Sequence, residues 1–295
     1  MEDNDSNSSS QKGTVQTDAI PLSDAIRSPA INVQLAPTLH DDLYYNMNHL
    51  RRGIAVISNH QKFDDMNVPE REGTIKDCEE LHKMLRRLGF KVDIFTDLKC
   101  SEIMATLKKV ALQDHTQHDC LVIVVLSHLK HGKLEAYDTS YDPVSLWSYF
   151  VANKCPTLSG KPKLFFTQSC LGNREDKGVC MEQDPSVRSD LLQSDHTFRI
   201  PIHADFLHVF ATTPGYYAYR HNTERSWFIQ ALCKELQENG FAYDLSTLLT
   251  LVCKRVATEY EHKGVKQMPC FTSMLTRFLK FTPKNNTGEV SFCPS

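Results

Sequence analysis

A thiol and an imidazole brought together can cleave an amide bond, because the thiolate attacks the carbonyl carbon and the imidazolium protonates the departing amine. The chain carries ten cysteines, at 78, 100, 120, 155, 170, 180, 233, 253, 270 and 293, and thirteen histidines. The cysteines are scattered, with no C-x-x-C pair, and several lie in apolar stretches where a free cysteine behaves as a small buried hydrophobe. None of the histidines stands at ligand spacing from a cysteine, so neither a zinc site nor any other cofactor is expected. Two residues differ in context from the rest. Cys170 closes the string KLFFTQSC and His128 closes CLVIVVLSH, each directly after an apolar run with the look of a buried strand. In open α/β sheets ligands bind beyond the carboxyl ends of the strands. Adjacent parallel strands at these two runs would set Cys170 and His128 side by side on one rim.

The rest of the chain has to supply that sheet. Its 295 residues carry 33 Lys+Arg against 36 Asp+Glu, with 41% hydrophobic and 23% charged residues, which is globular composition. A formal net charge of −3 argues against a basic nucleic-acid binder. The longest apolar run, 120–126, falls far short of the roughly 20 residues of a spanning helix. Residues 1–17 are polar and lack the apolar core of a signal peptide, so a cytoplasmic protein without a disulfide framework is expected. Residues 1–45 read as a disordered, solvated leader, rich in Ser, Asn and Asp, with no amphipathic stretch long enough for a helical adaptor domain.

From Arg51 strands and helices alternate. Strands are expected at 53–58, 90–95, 120–126, 163–167 and 205–212, and a last one at 270–281. A helix capped by Thr74 places Cys78, Leu81, Leu85 and Leu88 at helical spacing and closes at Gly89. Further helices are expected at 102–112, 144–153, 226–239 and 245–260, the last with Leu245, Leu248, Leu249, Val252 and Val256 on one face. Such alternation implies right-handed crossovers and a mainly parallel sheet. The segment 173–200 breaks the pattern; so long an irregular stretch inside a domain is usually functional. A small-molecule-binding α/β domain is disfavoured by the lack of a glycine-rich phosphate loop.

The strings VVLSH and KPKLFFTQSCLG resemble the caspase family, whose signature places a histidine some 50 residues before the Q-A-C motif. The resemblance continues through Arg71-Glu72-Gly73-Thr74, ADFLHVFATTPGYYAYR at 204–220, SWFIQALC at 226–233 and KQMPCFTSMLTRFLKF at 266–281, so it covers about residues 50–281 in order. It implies a three-layer α/β sandwich with a central, mainly parallel six-stranded sheet flanked by helices. It also implies a cysteine endopeptidase cleaving after Asp, an executioner-type caspase of apoptosis made as a zymogen. By that resemblance Cys170 is the nucleophile, His128 its acid/base partner, and the backbone N–H groups of Cys170 and Leu129 the oxyanion hole. Arg71, Gln168 and Arg220 match the family positions that clamp the substrate carboxylate, a set of donors that a neutral side chain would leave unpaired. Tyr217 and Tyr219 would shape the neighbouring pocket, and Trp227 and Phe228 would be either pocket lining or core.

The resemblance divides the chain into a leader at 1–45, a large-subunit region at 46–195 with its interdomain linker at 173–200, and a small-subunit region at 196–295. Asp18, Asp24, Asp190 and Asp195 are the candidate processing sites, whereas Asp184 precedes Pro185, a poor context for cleavage. The expected partners are protein substrates, upstream activating proteases and a second copy of the large/small pair joined through the final strand; nucleic acid and membrane are not among them. Three departures from the family pattern stand at the site: Leu129 where the family has Gly, and Ser169 and Leu171 flanking the cysteine. They keep open an alternative, a catalytically impaired homologue acting as decoy or regulatory dimer partner. A shifted His131-Gly132 pair is a further, weaker alternative to His128.

Overall fold

Arg51–Asn59 forms β1, an almost wholly buried strand, and Lys91–Thr96 forms β2 parallel to it. Between them Thr74–Arg87 forms α1. Cys100–Ala111 forms α2, followed by β3 at His118–Leu126, buried along its whole length. Three short strands come next: β4 (Leu129–Lys130), β5 (Lys133–Glu135) and β6 (Ser140–Tyr141). They make a small antiparallel sheet of their own. Val144–Trp147 forms α3, and β7 is Lys163–Gln168. The chain continues through β8 (Gly172–Arg174), β9 (Phe206–Phe210) and β10 (Gly215–Tyr216). It ends with α4 (Trp227–Asn239), α5 (Leu245–Glu259) and β11 (Cys270–Ser273). This computed structural model describes residues 37–38, 42–176, 201–219 and 225–284, all within the unit Gln34–Ser295.

The central sheet has six strands in the order β11-β9-β7-β3-β1-β2, parallel except for β11 against β9. Alternation along each strand divides the core into two layers. Ala55 and Ile57 of β1, with Cys120, Val122, Val124 and Leu126 of β3, face α1, α4 and α5. Ile54, Val56, Leu121, Ile123 and Val125 face the opposite way, onto α2 and α3. Strands buried on both faces are why the sequence shows continuous apolar runs here. The expected three-layer sandwich is therefore the observed architecture, and among the described residues no helix is long and apolar enough to cross a membrane.

Four local expectations need correction. The N-cap of α1 is Gly73, in the left-handed region at φ 78°, and not Thr74, whose buried hydroxyl has other partners described below. The helix expected at 144–153 stops at Trp147 and continues as tight turns, Phe150 N–H donating to Trp147 O and Lys154 N–H to Val151 O. That stretch is aromatic and β-branched, poor in helix propensity, and its buried side chains Leu146, Phe150 and Val151 hold the path. The strand expected over 270–281 ends at Ser273, because its partner β9 begins only one residue beyond Leu207, at Phe206; Leu279 and Phe281 then turn into the core. Residues ahead of 46, assigned to the leader, also pack on the domain. Tyr45 is 4% exposed and its hydroxyl donates to Asp205 Oδ1 at 2.7 Å.

Candidate active site

Parallel register sets three strand ends level. Asn59 of β1 pairs with Leu126 of β3, and Leu126 pairs with Gln168 of β7. The chain leaves this rim through His60, Ser127-His128 and Ser169-Cys170, with His60 N–H donating to Leu126 O at 2.9 Å and Ser127 N–H to Gln168 O at 3.2 Å. His128 and Cys170 thus each stand two residues past a matched pair on adjacent strands, and both are part-exposed at the surface of an otherwise buried edge.

Each side chain has a defined setting. His128 Nε2 lies 2.9 Å from Pro69 O; a carbonyl can only accept, so in the neutral ring Nε2 carries the proton and Nδ1 does not. The His128 ring also leans on Phe63, with centroids 5.4 Å apart. Cys170 Sγ lies 3.4 Å from both N and O of Ala218. The loop after the cysteine is sewn to the tyrosine segment: β8 pairs with β10, Leu171 N–H donates to Tyr216 O at 3.1 Å and Tyr217 N–H to Arg174 O at 3.0 Å. Every described cysteine is a free thiol. Burial pushes Cys78 and Cys253 up to about 11 and Cys120 and Cys233 up to about 12, which makes them inert at neutral pH.

Arg71 is 1% exposed and sits over the end of β1. Its Nη1 donates to His60 O at 2.9 Å and to Thr74 Oγ1 at 2.7 Å, and Thr74 Oγ1 in turn donates to Asn59 Oδ1 at 2.7 Å. The left-handed turn at Gly73 therefore frees Thr74 from capping α1 and spends its hydroxyl on orienting the guanidinium. Gln168 is 3% exposed, and its Oε1 has no hydrogen-bond partner among the described residues. The two amide atoms are interchangeable in assignment, so a buried amide end with hydrogen-bonding capacity to spare stands on the same rim as Arg71, one strand removed. Burial drives His60 down to about 4, keeping it neutral beneath Arg71 at physiological pH, with Ser58 Oγ 2.9 Å from its Nε2.

The aromatic residues separate into two groups. Tyr217, Tyr219, Trp227 and Tyr260 form a ladder with successive centroid distances of 6.4, 4.9 and 5.8 Å. Phe228 is 0% exposed inside the core cluster, so it is core and not pocket lining. Arg220, the third position that the resemblance assigns to the substrate carboxylate, and Asp18, Asp24, Asp190 and Asp195 lie outside the described residues. Sequence reading missed two supports. The Pro69 carbonyl leaves no side-chain signal, and Gln267, buried in a polar-looking loop, accepts from Tyr219 N–H and donates to Ala211 O, both at 2.6 Å. Among the described residues no cluster of His, Cys, Asp or Glu is placed to hold a metal ion.

The departures have plain structural accounts. Leu129 is not among the residues with positive φ; it lies in β4 opposite Leu134, and its side chain packs on the α2/α3 layer. His131 and Gly132 are the two central residues of the β4–β5 hairpin, at φ 52° and 77°, the mirror-image turn that suits twisted strands. That pair is a turn and not an alternative acid/base site.

One rim of the sheet thus carries an imidazole and a thiol at neighbouring strand ends and, on the same rim, a buried guanidinium and amide, the groups a thiol-dependent hydrolase selecting an anionic side chain would need. Comparison with known proteins gives the family. The Caspase domain profile matches residues 52–280. Caspase-1 of Spodoptera frugiperda is 47% identical over 82% of this chain and 83% of its own length. Caspase drICE of Drosophila melanogaster is 44% identical over 81% of this chain and 73% of its own. The crystal structure of Caspase-1 from Spodoptera frugiperda superposes with a TM-score of 0.80 at 45% identity, covering 87% of this chain and 100% of that one. The chain belongs to the caspase family. It is a cysteine-type endopeptidase that cleaves after Asp and acts in apoptosis. The alternative of an impaired homologue finds no support in these comparisons or in the setting of Leu129.

Proposed function

We propose that Cys170 is the nucleophile and His128 the acid/base of an executioner-type caspase. In this reading His128 Nδ1 takes the thiol proton, the thiolate attacks the carbonyl of the substrate Asp, and the imidazolium returns the proton to the departing amine. Water then attacks the thioester through the same base. Pro69 O holds Nε2–H throughout, in the place where a carboxylate stands in other triads. The oxyanion falls to the N–H groups of Cys170 and Leu129. The hydrogen-bonded pair formed by Glu135 N–H on His128 O, at 3.0 Å, supports the Leu129 assignment. In an antiparallel ladder the next pair, Leu129 with Leu134, turns its N–H groups away from the partner strand.

Arg71, Gln168 and Arg220 clamp the Asp carboxylate, and Tyr217, Tyr219 and Trp227 line the adjoining subsite. The observation that carries the reading is the level register of Asn59, Leu126 and Gln168, which brings guanidinium, imidazole, amide and thiol to one rim. A fluorogenic tetrapeptide ending in Asp tests it. The protein is expected to release the fluorophore and Cys170→Ala to lose that activity; release by Cys170→Ala would refute the assignment.

The same reading covers maturation and assembly. The chain is a cytoplasmic zymogen cut in the 173–200 linker at Asp190 or Asp195, with the leader removed at Asp18 or Asp24 by upstream proteases. Two large/small pairs join through β11, an edge strand whose unpaired side suits a second copy. Mass spectrometry of the processed chains reads the cuts, and sedimentation reads the dimer. Unchanged processing of the Asp190→Ala/Asp195→Ala protein would reject the linker sites.

A further inference from the structure

A cavity of about 490 Å³ opens beside His128, between the loop at 63–68 and the β4–β5–β6 sheet. Its lining includes Phe63, Asp65, Lys130 and Glu135, and none of Arg71, Gln168 or Cys170. It is therefore separate from the carboxylate slot, yet two of its walls are fixed to the imidazole residue. The Phe63 ring lies 5.4 Å from the His128 ring, and Glu135 N–H donates to His128 O at 3.0 Å. The walls are also tied to each other, since Asp64 N–H donates to Tyr137 O at 2.7 Å. Far-side Asp138 Oδ1 accepts from Cys100 N–H at 2.8 Å, at the start of α2. The cavity is thus preformed, and its volume lies in the range of ligand sites.

Chemistry says what passes there. The amine released in amide cleavage takes its proton from His128, so the peptide beyond the scissile bond must leave alongside the imidazole. An extended residue spans about 3.4 Å, which brings the cavity within reach of the first few residues of that segment. Charge says what it accepts. Glu135 is half-buried, and burial raises its carboxyl above the usual range, the mark of an anion with less solvation than it needs. Lys130 and Lys133 are exposed and screened by solvent. Burial therefore favours Glu135 over the lysines as the field inside the cavity, with Asp65, itself exposed, a second carboxylate on the lining.

We propose that this cavity is a subsite for a basic side chain in the substrate segment following the scissile bond, with Glu135 and Asp65 as its counter-charges. The proposal rests on the peptidase reading above. Quenched peptides identical up to the cleaved Asp, with lysine or glutamate placed in turn at each of the next three positions, test it against a coumarin amide that ends at the Asp. The lysine peptide is expected to exceed the glutamate peptide in kcat/KM by about fivefold at one position, the size of one favourable exposed ion pair. Glu135→Gln should remove that preference and lower the ratio of lysine-peptide to coumarin rates by a similar factor. Equal rates for lysine and glutamate at all three positions would overturn the subsite, as would a lysine preference that survives both Glu135→Gln and Asp65→Asn. Coumarin release without a lysine preference removes the subsite alone. Cleavage of neither substrate type would overturn the peptidase reading and the subsite with it.

Discussion

The two ends of the central sheet both bury charge, and they use it in opposite ways. At the amino-terminal end, Asp119 of β3 accepts from His49 N–H at 2.9 Å, Arg52 Nη1 at 2.8 Å and Lys284 Nζ at 2.9 Å. Arg52 Nη2 reaches Thr282 O, and Lys284 Nζ reaches His49 O at 2.6 Å. Lys161 Nζ donates to the carbonyls of His115, Thr116 and His118 at 2.7–2.8 Å. Lys163 Nζ donates to Leu158 O and Lys161 O and lies 4.9 Å from the Phe206 ring centre. Burial brings both lysines down to about 8, and each ammonium is nonetheless surrounded by acceptors. At the carboxyl-terminal end, Gln168 Oε1 and Ser169 Oγ are buried with no hydrogen-bond partner among the described residues. An end at which the charges are matched internally is framework, locking both termini of the domain to β1 and β3. An end with polarity left over is waiting for a ligand, since an unmatched buried polar atom costs about 1–3 kcal/mol.

Substitutions at the two ends should therefore fail differently. Asp119→Ala leaves Arg52, with a fully buried side chain, and Lys284 without their common anion. The expected loss is about 3–5 kcal/mol of stability, read as a lower urea midpoint, while folded molecules keep the wild-type KM. A midpoint close to wild type would show that the framework end is no more committed than the site.

Gln168→Ala should do the reverse. One hydrogen bond to a charged ligand is lost, so kcat/KM toward Asp substrates falls by about 10–100-fold. Unfolding is expected to shift by no more than about 1–2 kcal/mol of lost packing, well short of Asp119→Ala, because no described partner inside the protein loses a bond to Oε1. A stability loss as large as that of Asp119→Ala would make Gln168 a framework residue and erase the contrast.

Acid should weaken both ends together. Burial holds His60 at the site end, His118 at the framework end and His208 between them down to about 4. Each has a folded value below its unfolded value of roughly 6.5. Between those values the unfolded chain binds more protons, so stability falls as pH drops from about 6.5 toward 4. We expect a loss of at least about 1 kcal/mol between pH 7 and pH 5, after allowance for solvent screening. His118→Gln should flatten part of that slope. Urea titrations at the two pH values check it, and a flat profile would contradict the neutral, buried assignment.

The contrast also explains what the sequence disclosed. The strands of the sheet were legible because burial on both faces writes continuous apolar runs, and His128 and Cys170 were legible because each stands two residues past the end of such a strand. The matched end was not: Lys161 and Lys163 look like ordinary surface residues, since their partners are carbonyls. The same blindness hid Pro69 O behind His128 and misassigned Thr74, a good capping residue by type that the buried Arg71 claims for itself. Strands β4 to β6 are two or three residues each, too short for any period to show.

The smallest effect is expected at Leu129, where sequence raised the strongest objection to activity. Glycine is required beside a catalytic histidine only if the backbone there has positive φ or if a side chain would block the substrate. Neither condition holds, because Leu129 keeps strand dihedrals and turns its side chain to the α2/α3 layer. Leu129→Gly should leave kcat/KM toward an Asp tetrapeptide within about threefold, a difference below 1 kcal/mol. It removes a part-buried isobutyl group and loosens the backbone, so a stability loss of about 1–2 kcal/mol is expected. A gain of tenfold or more in kcat/KM would show instead that the leucine obstructs the oxyanion hole, and the site end would then be held partly closed by its own framework.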